Sequence, residues 1–194
     1  MSPSQGECSE FDSRRPLTSF NSMNDFIVRT AEEKDAPQIA KVQVETWQYA
    51  YKGQLPQEHL DKLSIGKRTK RWQEILSDKK NSNVTFVAKK DDYIVGFCSA
   101  GPCRDDDMDS ETGEILSIYV DSITMRKGVG TELMEQGLDY LREKGFKKAI
   151  LWVLVTNDKA RQWYENRGWK CEGKIKEEIH MDTSTSVIRY LRKF

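Results

Sequence analysis

Apolar side chains recur along the chain with two spacings, and the changes between them divide it into elements. Residues 26–30, FIVRT, read as a strand. Residues 32–53 then set Ile39, Val42, Val44, Trp47 and Tyr51 near helical spacing, with Asp35 as cap, Pro37 in the first turn and Gly53 as stop. A second helical region over 57–80, interrupted near Gly66, turns Trp72, Ile75 and Leu76 inward. Two strands, 83–90 and 92–101, flank Lys90-Asp91-Asp92, a hairpin signal, and a third covers 113–121. The stretch 128–145 is an amphipathic helix whose stripe is Val129, Leu133, Met134, Leu138 and Leu141, ended by Gly145. Residues 147–155 are almost wholly apolar, as in a central strand covered on both faces. A short helix over 157–168, capped by Asn157 and stopped by Gly168, precedes two last strands near 169–180 and 186–193, with a polar turn between them. The order β-α-α-β-β-β-α-β-α-β-β predicts one α/β (α+β) domain over residues 25–194, with a mixed sheet.

Residues 1–24 break this pattern. They are rich in Ser, hold Pro3, Gly6 and Pro16 and carry few aliphatic side chains, so a disordered tail is expected. The totals narrow the partners. Lys+Arg and Asp+Glu both count 31, and a chain without basic excess does not favour nucleic acid, although a local phosphate site is compatible with it. No apolar run approaches the roughly 18 residues of a membrane helix, and the N-terminus lacks the apolar core of a secretory signal. Cys8, Cys98, Cys103 and Cys171 form no CxxC pair and no metal-ligand spacing with His59 or His180, so no metal is expected. They read as reduced thiols of a cytoplasmic protein, with a Cys98–Cys103 disulfide as the alternative.

Candidate chemistry concentrates where the strand at 113–121 gives way to the helix at 128–145. There the sequence MRKGVG (125–130) places two glycines and two cations at a strand-to-helix turn. The first N–H groups of a helix lack intrahelical partners, glycine lets the backbone approach a bound group, and Arg126 and Lys127 add full charges. Such a junction suits a phosphate. It is neither a dinucleotide GxGxxG, which would need glycine where Leu133 stands, nor a Walker A loop. A plain connection with solvated cations is the other reading of these residues alone.

The next stretch adds a second pattern: Asn157, Ala160 and Tyr164, spaced as Asn-x-x-Ala-x-x-x-Tyr, followed by Gly168-Trp169. With MRKGVG after EILSIYV, the chain over about 26–193 resembles the GNAT superfamily of acyl-CoA N-acyltransferases. Met125 departs from the Gln or Arg usual at the first signature position. The resemblance implies a mostly antiparallel sheet of about seven strands with a splayed parallel pair, flanked by about four helices. It implies acetyl-CoA as co-substrate, held by Ile118, Tyr119 and Val120 along the strand edge, by Arg126, Lys127, Gly128, Val129, Gly130 and Thr131 at the turn, and by Asn157 and Tyr164. It also implies a primary amine as acceptor, attacked directly, with Glu114 as base (Glu111 more weakly) and Tyr164 as proton donor to the leaving thiolate.

Other readings stand beside this one. The fold could serve as a non-catalytic CoA-binding module, or the junction could bind another phosphate ligand. The acidic run RDDDMDSE (104–111) lacks the glycine and terminal glutamate of a calcium loop, and reads as a solvated hairpin loop or as a rim attracting cationic amines. Trp47, Tyr49 and Tyr51 divide between core and a wall for the acceptor. The open sheet edge left by a final hairpin suits a homodimer.

Overall fold

A computed structural model describes residues 25–53, 57–180 and 183–194. The sequence-predicted tail, 1–24, lies outside the described residues. Seven strands form one sheet in the order β1-β2-β3-β4-β5-β7-β6. They are β1 (Ile27–Thr30), β2 (Val84–Lys90), β3 (Tyr93–Pro102), β4 (Thr112–Val120), β5 (Lys148–Leu154), β6 (Lys170–His180) and β7 (Thr183–Lys193). Every neighbouring pair is antiparallel except β4 and β5. The helices are α1 (Ala36–Ala50), α2 (Gln57–Asp61), α3 (Ile65–Ser77), α4 (Val129–Glu143) and α5 (Asp158–Glu165).

Among the described residues they number five because the second helical region divides. The break falls at 62–64, ahead of Gly66, since the Ser64 hydroxyl accepts from the Lys67 N–H and starts α3 there. Asp35 precedes α1 as expected, but its carboxylate turns back. It accepts from the Glu32 N–H at 2.8 Å and from Arg29 at 2.6 and 2.9 Å, closing a 3-10 turn over Glu33–Asp35. The last strand begins at Thr183 rather than 186. Thr185 is buried there and donates to the Glu178 carbonyl, so this β-branched side chain helps carry the strand into the polar segment.

Two apolar layers sandwich the sheet. On one face the α4 stripe of Val129, Leu133, Met134, Leu138 and Leu141 packs with Cys98, Ile115, Leu151, Tyr164 and Trp169. Each of those helix side chains contributes about 1.5–3 kcal/mol by leaving water. On the other face α1 and α3 cover Val87, Ile94 and Phe97 through Ile39, Val42 and Trp72. Cys98 is buried and Cys103 half-buried, both as free thiols, so the disulfide alternative falls. Strand β6 ends the sheet as an edge, with Ile175 and Ile179 exposed. Among the described residues, no helix is long and apolar enough to cross a membrane.

Candidate active site

The site begins where the one parallel pair comes apart. Strands β4 and β5 are in register from Thr112/Lys148 to Ile115/Leu151 and no further. Beyond that point β4 continues beside β3 and β5 beside β7. The residue after Ile115, Leu116, is a bulge: Ser117 opposes Ser99 and Ile115 opposes Ala100. The extra residue bends β4 away from β5 as the gap opens. Residues 116–120 thus present a strand edge to the gap. Ile118 and Val120 face the α4 layer, and Tyr119 faces α1.

At the wide end of the gap lies the glycine turn. Gly128 caps α4 with φ of 86°, a left-handed conformation that side chains disfavour, and a Cβ there would meet nothing within 4 Å. Arg126 is also left-handed, at 64°. The first N–H groups to return to the helix are those of Thr131 and Glu132, both onto the Gly128 carbonyl at 3.0 Å. The Val129 and Gly130 N–H groups are therefore among the unpaired donors of a helix start. Arg126, Lys127 and Met125 are exposed around them. The Thr131 hydroxyl is already engaged: Arg167, which lies 4.1 Å over the Trp163 ring, donates to it at 2.9 Å.

Three tyrosines line the gap. Tyr164 on α5 is buried against Trp163, Trp169 and Tyr190. Burial pushes its phenol above the ordinary value, and Cys98, Tyr119 and Tyr51 add to the rise. Tyr51, at the C-terminal end of α1, is raised chiefly by burial and drawn back by a hydrogen bond from the Asn157 side chain. Asn157 also caps α5, its carbonyl accepting from the Ala160 N–H at 3.2 Å. Tyr119 accepts from Trp47 Nε1 at 3.1 Å. Burial raises it too, while bonds from Trp47 and Gln43 and the charge of Arg68 oppose that rise and Glu178 adds to it. Of the three aromatic candidates near the end of α1, Trp47 and Tyr51 are buried in one apolar cluster and Tyr49 is 59 % exposed, on the solvent side.

Glu114 sits at the closed end of the gap, on the face of α1. It is buried, and Arg104 holds both carboxylate oxygens: the guanidinium at 2.6 and 3.1 Å and the Arg104 N–H at 3.1 Å. Glu111, at the end of the preceding loop, is exposed and gives its carbonyl to the Lys147 N–H.

The acidic run keeps Asp106, Asp107 and Asp109 exposed, as a solvated loop would, but three of its carboxylates are paired within the chain. Asp105 pairs with Arg189 at 3.1 Å and Lys176 at 3.3 Å and accepts from Trp152 Nε1. Asp107 pairs with Lys174 and Arg189, and Asp109 with Lys148. These partners hold the Asp107 and Asp109 carboxyls below the usual range. The chain's own cations offset the charge of these three, which weakens the loop's pull on a cationic amine. Arg189 escaped sequence reasoning, although a cation between Ile188 and Tyr190 in an apolar strand signals a buried ion pair. Gln43, Arg68 and Glu178 also went unread, because only the fold brings them to Tyr119. Among the described residues, no His, Cys, Asp and Glu gather into a metal-holding group.

Known proteins resemble this chain in sequence and in fold. The acetyltransferase (GNAT) family model matches residues 41–169. The uncharacterized N-acetyltransferase YuaI of Bacillus subtilis is 30 % identical over 131 residues, which are 67 % of this chain and 72 % of its own length. An uncharacterized N-acetyltransferase of Archaeoglobus fulgidus is 30 % identical over 141 residues, 72 % of this chain and 90 % of its own. Among solved structures, the PaiA N-acetyltransferase of Thermoplasma acidophilum, in complex with coenzyme A, superposes with a TM-score of 0.66 at 20 % identity, covering 87 % of this chain and 99 % of that one.

Proposed function

Since the chain belongs to the acetyltransferase (GNAT) family, we propose that it transfers an acetyl group from acetyl-CoA to a primary amine, by direct attack in a ternary complex in the cytoplasm. The observation that carries this reading is the parting of β4 from β5 beyond Ile115/Leu151, with the glycine turn at its wide end. The pyrophosphate sits on the N–H groups of Gly128 to Gly130, beside Arg126 and Lys127. The pantetheine arm lies in the gap as an added strand against Ile118 to Val120. The acyl end then approaches the closed end of the gap, with Tyr164 beside the arm and Glu114 just beyond it.

The amine attacks the thioester carbonyl, the tetrahedral intermediate collapses, and the thiolate leaves with the proton that Tyr164 supplies. A raised phenol can do this because the same burial acts on sulfur. The Cys98 thiol, in the layer that holds Tyr164, is pushed up to about 12 by burial. A thiolate released in such surroundings is a stronger base than in water and draws the phenolic proton. Glu114 receives the amine's proton through water, with Arg104 the group that must yield one oxygen to it.

Tyr164→Phe tests the assignment. It keeps the ring contacts and removes the proton, so kcat should fall about 10²–10⁴-fold while acetyl-CoA affinity stays nearly unchanged. Glu114→Gln, in the same thiol-release assay, should flatten the acid-side limb of the pH profile. Wild-type turnover in both variants would return these residues to structure.

A further inference from the structure

The glycine turn is met by a cation from another element, one that neither sequence motif includes. Helix α5 ends at Glu165, and left-handed Gly168 turns the chain toward β6. Arg167 lies between them and folds back along the helix. Its Nη1 donates to the Trp163 carbonyl at 3.2 Å, its guanidinium lies 4.1 Å over the Trp163 ring, and its Nη2 donates to the Thr131 hydroxyl at 2.9 Å. Trp163 itself adjoins the turn: a Cβ on Gly130 would lie 3.6 Å from its Cζ2 and 3.5 Å from Val120, the last residue of β4. The guanidinium therefore stands beside the first turn of α4, at the wide end of the gap.

This charge is held without a counter-charge. A guanidinium carries five N–H donors. Here Nη1 and Nη2 each spend one, both on neutral oxygens, and Nε is buried with no partner. Among the described residues, no carboxylate lies within ion-pair distance of Arg167. Glu165, two residues before it, accepts from the Tyr190 hydroxyl, and Glu132 in the first turn of α4 accepts from Gln136. Arg29, Arg104 and Arg189, in contrast, each hold a carboxylate. The ring face returns only part of the hydration that a half-buried cation gives up.

We infer that Arg167 is a ligand of the acetyl-CoA pyrophosphate and supplies, from α5, the side-chain charge that Met125 does not bring to the turn. This rests on the reading of the gap as an acetyl-CoA site. A planar fork suits a diphosphate, since it can hold two oxygens while the backbone N–H groups of the turn take others. The Trp163 ring and the Thr131 hydroxyl fix the fork beforehand, so little side-chain entropy is lost on binding. Thr131 then acts through Arg167, by holding it. Because α5 also carries Tyr164, the same contact ties the helix of the proton donor to the cofactor.

The test is calorimetry of CoA and of dephospho-CoA on the full chain at low and raised salt. Arg167→Gln keeps a donor for Thr131 and removes the charge. It should weaken both ligands about ten- to hundredfold, and the affinity left should fall less steeply with salt. Met125→Arg should then restore affinity in Arg167→Gln by a larger factor than it adds to the otherwise wild-type chain, because the new cation replaces a missing one. A residue that merely braced α5 would not be repaired from position 125. Unchanged affinity in Arg167→Gln, a loss for CoA but not for dephospho-CoA, or an equal gain from Met125→Arg in both backgrounds would each overturn the inference. Should Arg167→Gln not fold, Arg167→Lys carries the test. It keeps the charge without the fork, so it should lose part of the affinity, and wild-type binding of both ligands would overturn the assignment. If the wild type binds neither ligand, the reading of the gap fails and this inference with it.

Discussion

Gly128 and Gly130 stand in the same short motif, yet the structure separates them, and alanine at each should act in opposite directions. At Gly128 the backbone is left-handed, so alanine costs about 1–2 kcal/mol of folding free energy wherever its methyl points. For a domain of this size each kcal/mol is worth about 2–4 °C, so Tm should fall by about 2–8 °C. Gly130 lies in the first turn of α4, where an added Cβ would sit 3.5 Å from Val120 and 3.6 Å from Trp163, ordinary contact distances. Alanine there exchanges a poor helix former for the best one, a gain of up to about 1 kcal/mol and a rise of about 2 °C. Ligand binding should divide the pair again. The Gly128 Cβ would project into open space, where the pyrophosphate is proposed to rest, whereas the Gly130 Cβ points into protein. With acetyl-CoA at 100 times its Kd, mass action stabilises the wild type by about 2.7 kcal/mol. Gly130→Ala should keep that increment and Gly128→Ala should lose most of it. Differential scanning fluorimetry with and without acetyl-CoA reads both effects together. A full ligand shift in Gly128→Ala, or loss of the shift in Gly130→Ala alone, would show that the anion approaches from another direction.

Two further outcomes follow from other parts of the molecule. Met125 is 37 % exposed beside the turn, so Met125→Arg should tighten CoA and dephospho-CoA binding by about 1–2 kcal/mol in calorimetry, the gain shrinking as salt rises. Asp35 is held below the usual carboxylate range, first by its bonds to Arg29, and so contributes stability above the ordinary aspartate value of about 3.9 that is lost as pH falls through its folded value. Asp35→Asn should therefore lower stability by about 2 kcal/mol at neutral pH, and urea melts should show the deficit closing in acid.

Periodicity reached far into this fold because most elements bury a single face. The α4 stripe, the apolar β5 run and the Asn157 cap all occur as spacing predicts. The same spacing placed Trp47 and Tyr51 together, four residues apart, and could have removed Tyr49 from the wall at two. Local chemistry also explains where boundaries moved: the serine cap at 64 and the β-branched Thr185 act over a few residues. What sequence could not supply was pairing at long range. Asp105 and Arg189 are 84 positions apart, and only the fold shows the acidic run closed upon β6 and β7 rather than open to substrate. Likewise Arg104 was no evident partner for Glu114, since the turn between β3 and β4 decides which way it reaches. The strand edge and the glycine turn lie in one contiguous strand–turn–helix, so local spacing reaches them. The surroundings of Tyr119 combine α1, α3, β4 and β6, which local spacing does not reach.

That closed acidic run has a mechanical meaning. Ile115 and Leu151 form the tip of a crack in the sheet, opened from the glycine turn inward, and an occupant wedged between the strands pulls at that tip. Only four residue pairs of parallel ladder lie behind it. The β3–β4 loop stitches across just there: Asp105 and Asp107 to Arg189, Lys176 and Lys174, and Asp109 to Lys148 at the start of β5. Buried Arg189 resists screening, while the less buried lysines yield more to salt. The stitches arrest the crack, so an occupant can part the strands at the glycine turn without the two half-sheets tearing apart behind it.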